Sequence, residues 1–66
     1  MTIRLNGQAH ALAEPLTVLA LLRTLALPRT DVAVAVDGIV VPRSRWEDHL
    51  VRDGAEVDVV TAVQGG

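Results

Sequence analysis

The residues best suited to chemistry in this 66-residue sequence are its last four, Val63-Gln64-Gly65-Gly66. Glycine has no side chain, so a pair of glycines can enter a narrow channel and adopt backbone angles that other residues avoid. The sequence ends on the carboxyl group of Gly66, which is carried by the least hindered residue available. We expect this terminus to bring its carboxylate into the active site of another protein, although loose, glycine-rich chain ends also occur without a function.

Few other side chains offer a reactive group. The sequence has no Cys and no Lys, which excludes disulfides, thiolate metal sites, thiol nucleophiles and side-chain amines. His10 and His49 have no partner set for a triad or a metal site, and no glycine-rich phosphate loop follows a strand. We therefore expect no metal site, no catalytic residue and no enzyme activity of the chain's own.

The composition narrows the class of protein. Half of the residues are hydrophobic, Trp46 is the only aromatic residue, and the net charge is −2. Without aromatic stacking platforms or a basic surface, we expect no nucleic-acid binding. No apolar run approaches the ~18 residues of a membrane span, and no signal peptide is recognisable. Together with the absence of Cys, this predicts a cytoplasmic protein.

The first half of the sequence predicts a hairpin followed by a helix. Residues 2–5 alternate in polarity, as in a half-buried strand. Asn6-Gly7 favours a type I′ turn, after which residues 8–13 form the return strand, with Ile3 opposite His10.

Thr17 is placed to cap the helix. An apolar stripe at helical spacing follows, formed by Val18, Leu21, Leu22 and Leu25. Pro28 disfavours helical angles at the residue before it, so the helix should end by about Ala26.

A second hairpin is predicted next. Residues 31–36 predict the next strand, because valine and alanine alternate over residues 32–36 and give one valine face and one small-residue face. Asp37-Gly38 predicts a turn, and residues 39–41 predict a short strand that ends at Pro42. Ser44 and Glu47 have capping-box spacing, which predicts a helical turn over residues 45–49.

The end of the chain predicts a last strand. Trp46 should close one end of an aliphatic core, and a tight turn at Asp53-Gly54 should lead into a strand that runs to about residue 62. Two hairpins around one amphipathic helix predict an α+β fold, a mixed sheet of four to five strands packed on the helix plus the short helical turn. A last strand beside the first would project the tail from the middle of the sheet.

We predict Val60 and Ala62 as a partner-facing surface. Acidic residues are a second candidate contact, with plain solvation as the alternative: Glu47, Asp48, Asp53, Glu56 and Asp58.

An ordered set of short fragments in the second half resembles one protein family. The fragments are Val34-Ala35-Val36, Val41-Pro42-Arg43-Ser44, Trp46, Leu50, Asp53-Gly54, Val57, Val60, Ala62-Val63 and Gly65-Gly66. Together they resemble the ThiS family, the sulfur carrier proteins of thiamine biosynthesis, and the resemblance covers the chain in length and element order. It implies the ubiquitin-like β-grasp fold, with a domain over residues 1–62 and a flexible glycine tail over residues 63–66.

The resemblance also implies a chemistry for the tail. An E1-like adenylyltransferase, ThiF, would use MgATP to adenylate Gly66, and a cysteine desulfurase or other persulfide donor would supply sulfur. The product would be a thiocarboxylate on Gly66, from which thiazole synthase, ThiG, takes sulfur into the thiazole ring. Val63, Gln64 and Gly65 would be recognised by these partners, and the chain itself would bind no cofactor.

Three other functions remain open at this stage. The first is a different β-grasp sulfur carrier, such as the small subunit of molybdopterin synthase. The second is a ubiquitin-like modifier that forms isopeptide bonds on target proteins. The third is a passive binding module whose glycine tail is idle.

Overall fold

The computed structural model describes residues 1–28 and 30–61. In this part of the chain seven strands, one α-helix and one 3₁₀ helix follow in the order β1 (Thr2–Leu5), β2 (Gln8–Ala11), β3 (Leu16–Thr17), α1 (Val18–Thr24), β4 (Val32–Val36), β5 (Ile39–Val41), the 3₁₀ helix (Arg43–Arg45), β6 (Leu50–Val51) and β7 (Glu56–Thr61).

The five longer strands form one mixed sheet in the order β2-β1-β7-β4-β5. β1 and β7 are parallel, and the other neighbours are antiparallel. The predicted sheet on one helix is therefore confirmed, and the last strand lies centrally beside the first. β3 and β6 form a separate two-stranded ladder that the sequence did not reveal, because two-residue strands carry no periodicity.

An aliphatic core lies between the sheet and α1. Val18, Leu21 and Leu22 are fully buried, as the apolar stripe predicts. Trp46 is 3% exposed and its indole N–H donates to the carbonyl of Val41 at 2.9 Å. Because the indole finds this partner, the ring can close the core without leaving a buried donor unpaired.

Both predicted hairpin turns are present. Asn6 and Gly7 have φ of 51° and 84°, and Asp37 and Gly38 have φ of 52° and 82°. Positive φ at both central residues is the mark of a type I′ turn, whose twist matches that of the flanking strands. The first turn fixes the predicted pairing of Ile3 with His10.

The ends of α1 show how local chemistry sets its length. The Thr17 hydroxyl accepts from the amide of Ala20 at 3.1 Å, which confirms the predicted cap. After Thr24 the amides of Ala26 and Leu27 donate to the carbonyls of Arg23 and Leu22, respectively. These bonds form a Schellman motif with Ala26 at φ 56°, so the helix ends before Pro28 acts on it.

Two boundary predictions are wrong. The helical turn starts earlier than predicted, as a 3₁₀ helix over Arg43–Arg45 that follows Pro42 without a side-chain cap, so Ser44 does not form the predicted capping box. The predicted turn over residues 45–49 follows it, closed by the bond from the His49 amide to the Arg45 carbonyl at 2.9 Å. The fixed φ of Pro42, −63°, favours an earlier start. The return strand ends at Ala11 instead of residue 13, although Leu12 still exchanges two main-chain hydrogen bonds with Met1, at 2.7 and 3.0 Å.

α1 is the sole α-helix within residues 1–28 and 30–61, and it is too short to cross a membrane.

Candidate functional site

The candidate site is the end of β7, because the predicted reactive residues follow this strand. β7 is paired on one side with β1 and on the other with β4, where Val32 lies opposite Thr61 and Ala33 opposite Val60. Thr61 is the last residue of the strand. The predicted site residues beyond it lie outside the described residues: Ala62, Val63, Gln64, Gly65 and Gly66.

The end of β7 is held by a side chain that the sequence indicated only as a turn residue. Asn6 accepts from the amide of Val59 through Oδ1 at 2.8 Å and donates to the carbonyl of Val59 through Nδ2 at 3.2 Å. One side-chain amide thus satisfies both main-chain polar groups of Val59. No sequence pattern could have revealed this contact, which spans 53 positions.

The sheet face opposite α1 carries a small apolar surface next to the end of β7. Val60 is 61% exposed and Val40 is 67% exposed. Val60 pairs with Ala33 and Val40 pairs with Ala35, so the two alanines lie between the two valines on the same face. We call Ala33, Ala35, Val40 and Val60 the outer-face patch. Because alanine side chains are short, a partner can approach this backbone closely.

The acidic residues singled out from the sequence do not form one cluster. Glu56 and Asp58 alternate with Val57 along β7 and share a face with Val60, at the border of the outer-face patch. The carboxylate of Asp53 accepts from the amide of Thr2 at 2.8 Å, a structural contact in the turn before β7.

Glu47 and Asp48 are exposed in the turn after the 3₁₀ helix. Only Glu56 and Asp58 are therefore placed to contribute to a contact that also includes Val60.

The two histidines occupy ordinary structural positions. His10 is half-buried on β2 opposite Ile3, and the main chain of His49 donates to the carbonyl of Arg45 at 2.9 Å. Within the described ranges, no group of three His, Cys, Asp or Glu side chains could hold a metal ion.

Comparison with known proteins gives consistent matches. The family model named ThiS family matches residues 3–66. The sulfur carrier protein ThiS of Escherichia coli is 35% identical over 66 residues, which is the full length of both chains. A thiazole synthase of Paramagnetospirillum magneticum is 32% identical over 66 residues, all of this chain but only 20% of that protein.

A solved structure extends the likeness to three dimensions. The crystal structure of the thiamine biosynthesis protein ThiS from Geobacter metallireducens superposes with a TM-score of 0.88 at 30% identity, covering both chains completely. The mixed sheet and helix described above are thus the ubiquitin-like β-grasp fold. With a family model over nearly all of its residues and relatives of equal length and like fold, this chain belongs to the ThiS family.

Proposed function

We propose that this chain is a sulfur carrier of thiamine biosynthesis, in which the carboxyl of Gly66 is adenylated and converted to a thiocarboxylate. The observation that carries the proposal is the match of residues 3–66 to the ThiS family, which runs through the terminal glycine pair. The full-length likeness to a protein named as a sulfur carrier supports it.

The chemistry explains why partners are needed. A carboxylate resists attack because it is anionic and its leaving group would be oxide. In the proposed activation, a Gly66 oxygen attacks the α-phosphate of ATP and pyrophosphate leaves. The terminal sulfur of a donor persulfide then attacks the acyl carbon and AMP leaves. A thiol cleaves the S–S bond of the resulting acyl disulfide, which releases the Gly66 thiocarboxylate and leaves a disulfide on the donor. Cationic groups must stabilise the charge that develops on the phosphates. Residues 1–28 and 30–61 contain no group that could hold a metal ion, so this proposal assigns MgATP to an E1-like adenylyltransferase such as ThiF.

The role of this chain is to hold the reacting terminus out from a rigid body. β7 lies in the middle of the sheet and ends at Thr61, five residues before Gly66. Five residues span at most about 17 Å when fully extended, which is enough to reach a pocket below a partner's surface. Tethering the sulfur to a protein also raises its effective concentration at the acceptor.

The same composition protects the activated terminus. The sequence contains neither Cys nor Lys, so no side-chain thiol or amine of this chain competes for the acyl-adenylate. In this proposal the chain is a substrate of its partners and not itself a catalyst. The absence of Cys also supports a cytoplasmic location, where thiols stay reduced and sulfur transfer through persulfides proceeds.

We infer that the sulfur acceptor is a thiazole synthase such as ThiG, and that a cysteine desulfurase or another persulfide donor supplies the sulfur. The match of this whole chain to one fifth of a thiazole synthase supports the first partner, because a carrier segment within that polypeptide would have a high effective concentration. We further propose that Val60 and Ala62 face the partners. The tail residues that follow would be recognised inside the partners' channels: Val63, Gln64 and Gly65. The exposure of Val60 supports this surface.

Intact-mass analysis tests the proposal. The chain is incubated with an E1-like adenylyltransferase, MgATP, a cysteine desulfurase and cysteine. The expected product is heavier by one oxygen-to-sulfur exchange. Deletion of Gly66 should abolish the product, and Gly66→Ala should slow its formation because the added methyl group hinders the channel. Circular dichroism should be unchanged in both variants, since neither touches the described core.

Two outcomes would contradict sulfur carriage. A chain that is recovered with unchanged mass, while an authentic carrier is converted in the same mixture, is not a substrate of this chemistry. A ladder of covalent conjugates after addition of ATP and a cell extract, with loss of the ladder on deletion of Gly66, would instead support a protein modifier.

A further inference from the structure

β1 and β7 run parallel for only a short distance, because β1 ends in a turn while β7 continues. The amide of Arg4 donates to the carbonyl of Ala55, and the amide of Asn6 donates to the carbonyl of Val57, both at 2.9 Å. The next step of this ladder would require a carbonyl acceptor and an amide donor opposite Val59. At that point, however, the main chain leaves β7 and turns into β2.

The side chain of Asn6 supplies this missing step. Its Oδ1 takes the place of the carbonyl and its Nδ2 takes the place of the amide, at 2.8 and 3.2 Å from the Val59 nitrogen and oxygen. The contact holds β7 on its β1 side up to Val59, whereas on the β4 side pairing continues to Thr61. Without it, the last four residues of β7 would be held along one edge only.

We propose that Asn6 is a positioning residue for the C-terminal tail: its amide fixes the last part of β7 and thereby the direction in which the chain leaves the sheet toward Gly66. The proposal rests on the function proposed above. When the strand before the tail is held along both edges, less conformational freedom is lost as the terminus enters the channel of the adenylyltransferase. Loss of this constraint lowers the fraction of bound carrier whose terminus reaches the phosphate.

The fold contains a matched control for this contact. Asp37 occupies the same position of the other type I′ turn, with φ of 52° against 51° for Asn6. Its Oδ1 accepts from the amide of Glu56 at 2.9 Å, so it also holds β7 by a side-chain oxygen. Glu56, however, is the first residue of β7, at the end remote from the tail. Asn6→Gly thus removes two side-chain bonds near the tail end of β7, Asp37→Gly removes one at its other end, and glycine keeps both turns favourable.

Amide hydrogen exchange tests the geometry independently of any partner. In Asn6→Gly the Val59 amide should lose protection while the Glu56 amide keeps it. In Asp37→Gly the pattern should be reversed. Equal protection of Val59 in the Asn6→Gly variant and the unaltered chain would overturn the proposal, because the side chain would then not hold the strand.

Steady-state adenylation, measured as pyrophosphate release against carrier concentration, tests the consequence. In Asn6→Gly we expect kcat to fall by about tenfold, since small misplacements of a reacting group slow reactions by up to about 10²-fold. KM should be unchanged, because the folded surface that binds the enzyme is intact. A merely structural effect gives the opposite split: a partly unfolded carrier has a lower effective concentration, which raises the apparent KM and leaves kcat as it was.

Rescue separates positioning from general damage. Asn6→Asp keeps the acceptor for the Val59 amide but loses the donor to its carbonyl, so its kcat should lie between those of Asn6→Gly and the unaltered chain. Asp37→Gly should show the unaltered kcat. An equal loss of kcat in Asn6→Gly and Asp37→Gly would refute the positioning role, as would an unchanged kcat in Asn6→Gly. If the unaltered chain releases no pyrophosphate with an active enzyme, the proposed function fails, whereas the exchange result still decides whether Asn6 holds β7.

Discussion

Truncation of Val60 to alanine should weaken binding to the partner enzymes while the chain stays folded. Full burial of a valine side chain is worth about 1.5–3 kcal/mol. Val60 keeps 61% of its surface exposed in the free chain, so most of this free energy is still available to a partner. The change removes two methyl groups, worth about 0.8 kcal/mol each when buried. Scaled by the exposed fraction, the loss is about 1 kcal/mol, or roughly fivefold in Kd.

The assay is isothermal titration calorimetry, in which the carrier is titrated into the adenylyltransferase and, separately, into the thiazole synthase. Ile39→Ala is the matched control, because Ile39 is 69% exposed but pairs with Val36, on the face that carries the core. Its truncation should leave both Kd values unchanged. Val40→Ala should resemble Val60→Ala in affinity, since Val40 lies on the outer-face patch and is 67% exposed.

Two results would refute the reasoning. If Val60→Ala binds both enzymes as tightly as the unaltered chain, the outer-face patch is not a contact surface. If Ile39→Ala loses as much affinity as Val60→Ala, binding depends on general surface hydrophobicity and not on this face. In each case the free energy of unfolding must be measured alongside, because a strand substitution can shift it by up to about 1 kcal/mol.

Three further predictions concern the stability of the fold. Ala26→Gly should stabilise the chain by about 1 kcal/mol and raise Tm by about 4–8 °C, because glycine adopts φ of 56° without steric cost; a lower Tm in thermal melts would contradict the assigned Schellman motif. Thr17→Ala should lower the free energy of unfolding in urea by about 1 kcal/mol, because the bond from the Ala20 amide is lost. Thr17→Ser retains the cap, so an equal loss in both variants would argue against capping. Trp46→Phe should lower the free energy of unfolding by about 2–3 kcal/mol, because it leaves a cavity and removes the donor to the Val41 carbonyl. A smaller loss than that of Thr17→Ala would show that this bond is unimportant.

Features governed by local backbone chemistry could be predicted from the sequence. Asn6-Gly7 and Asp37-Gly38 indicate type I′ turns, because few other dipeptides tolerate positive φ at both positions. The valine–alanine alternation of β4 likewise gives the strand and its faces directly. The candidate site could be predicted from the terminal pair Gly65-Gly66, because glycine is the residue type that lacks a side chain.

Features that depend on distant partners could not be predicted. The contact of Asn6 with Val59 exists only once the sheet has formed, and the turn signal of Asn6 gave a sufficient local reason for its presence. Ser44 shows the converse, since its spacing to Glu47 suggested a cap but Pro42 starts the 3₁₀ helix earlier. The ladder of β3 and β6 is set by tertiary pairing between residues 33 and 35 positions apart, which leaves no pattern in either segment.

The central position of β7 has a consequence for the order of events in the cell. β1 and β4 are not hydrogen-bonded to each other, so the sheet is joined only when β7, which follows both of them in the sequence, inserts between them. Such pairing between distant parts of a chain is slow to form and cannot precede the synthesis of β7. Because the outer-face patch combines alanines of β4 with a valine of β7, an enzyme that docks there meets only molecules whose assembly is finished. Incompletely folded molecules would then not be adenylated, and no ATP would be consumed on them.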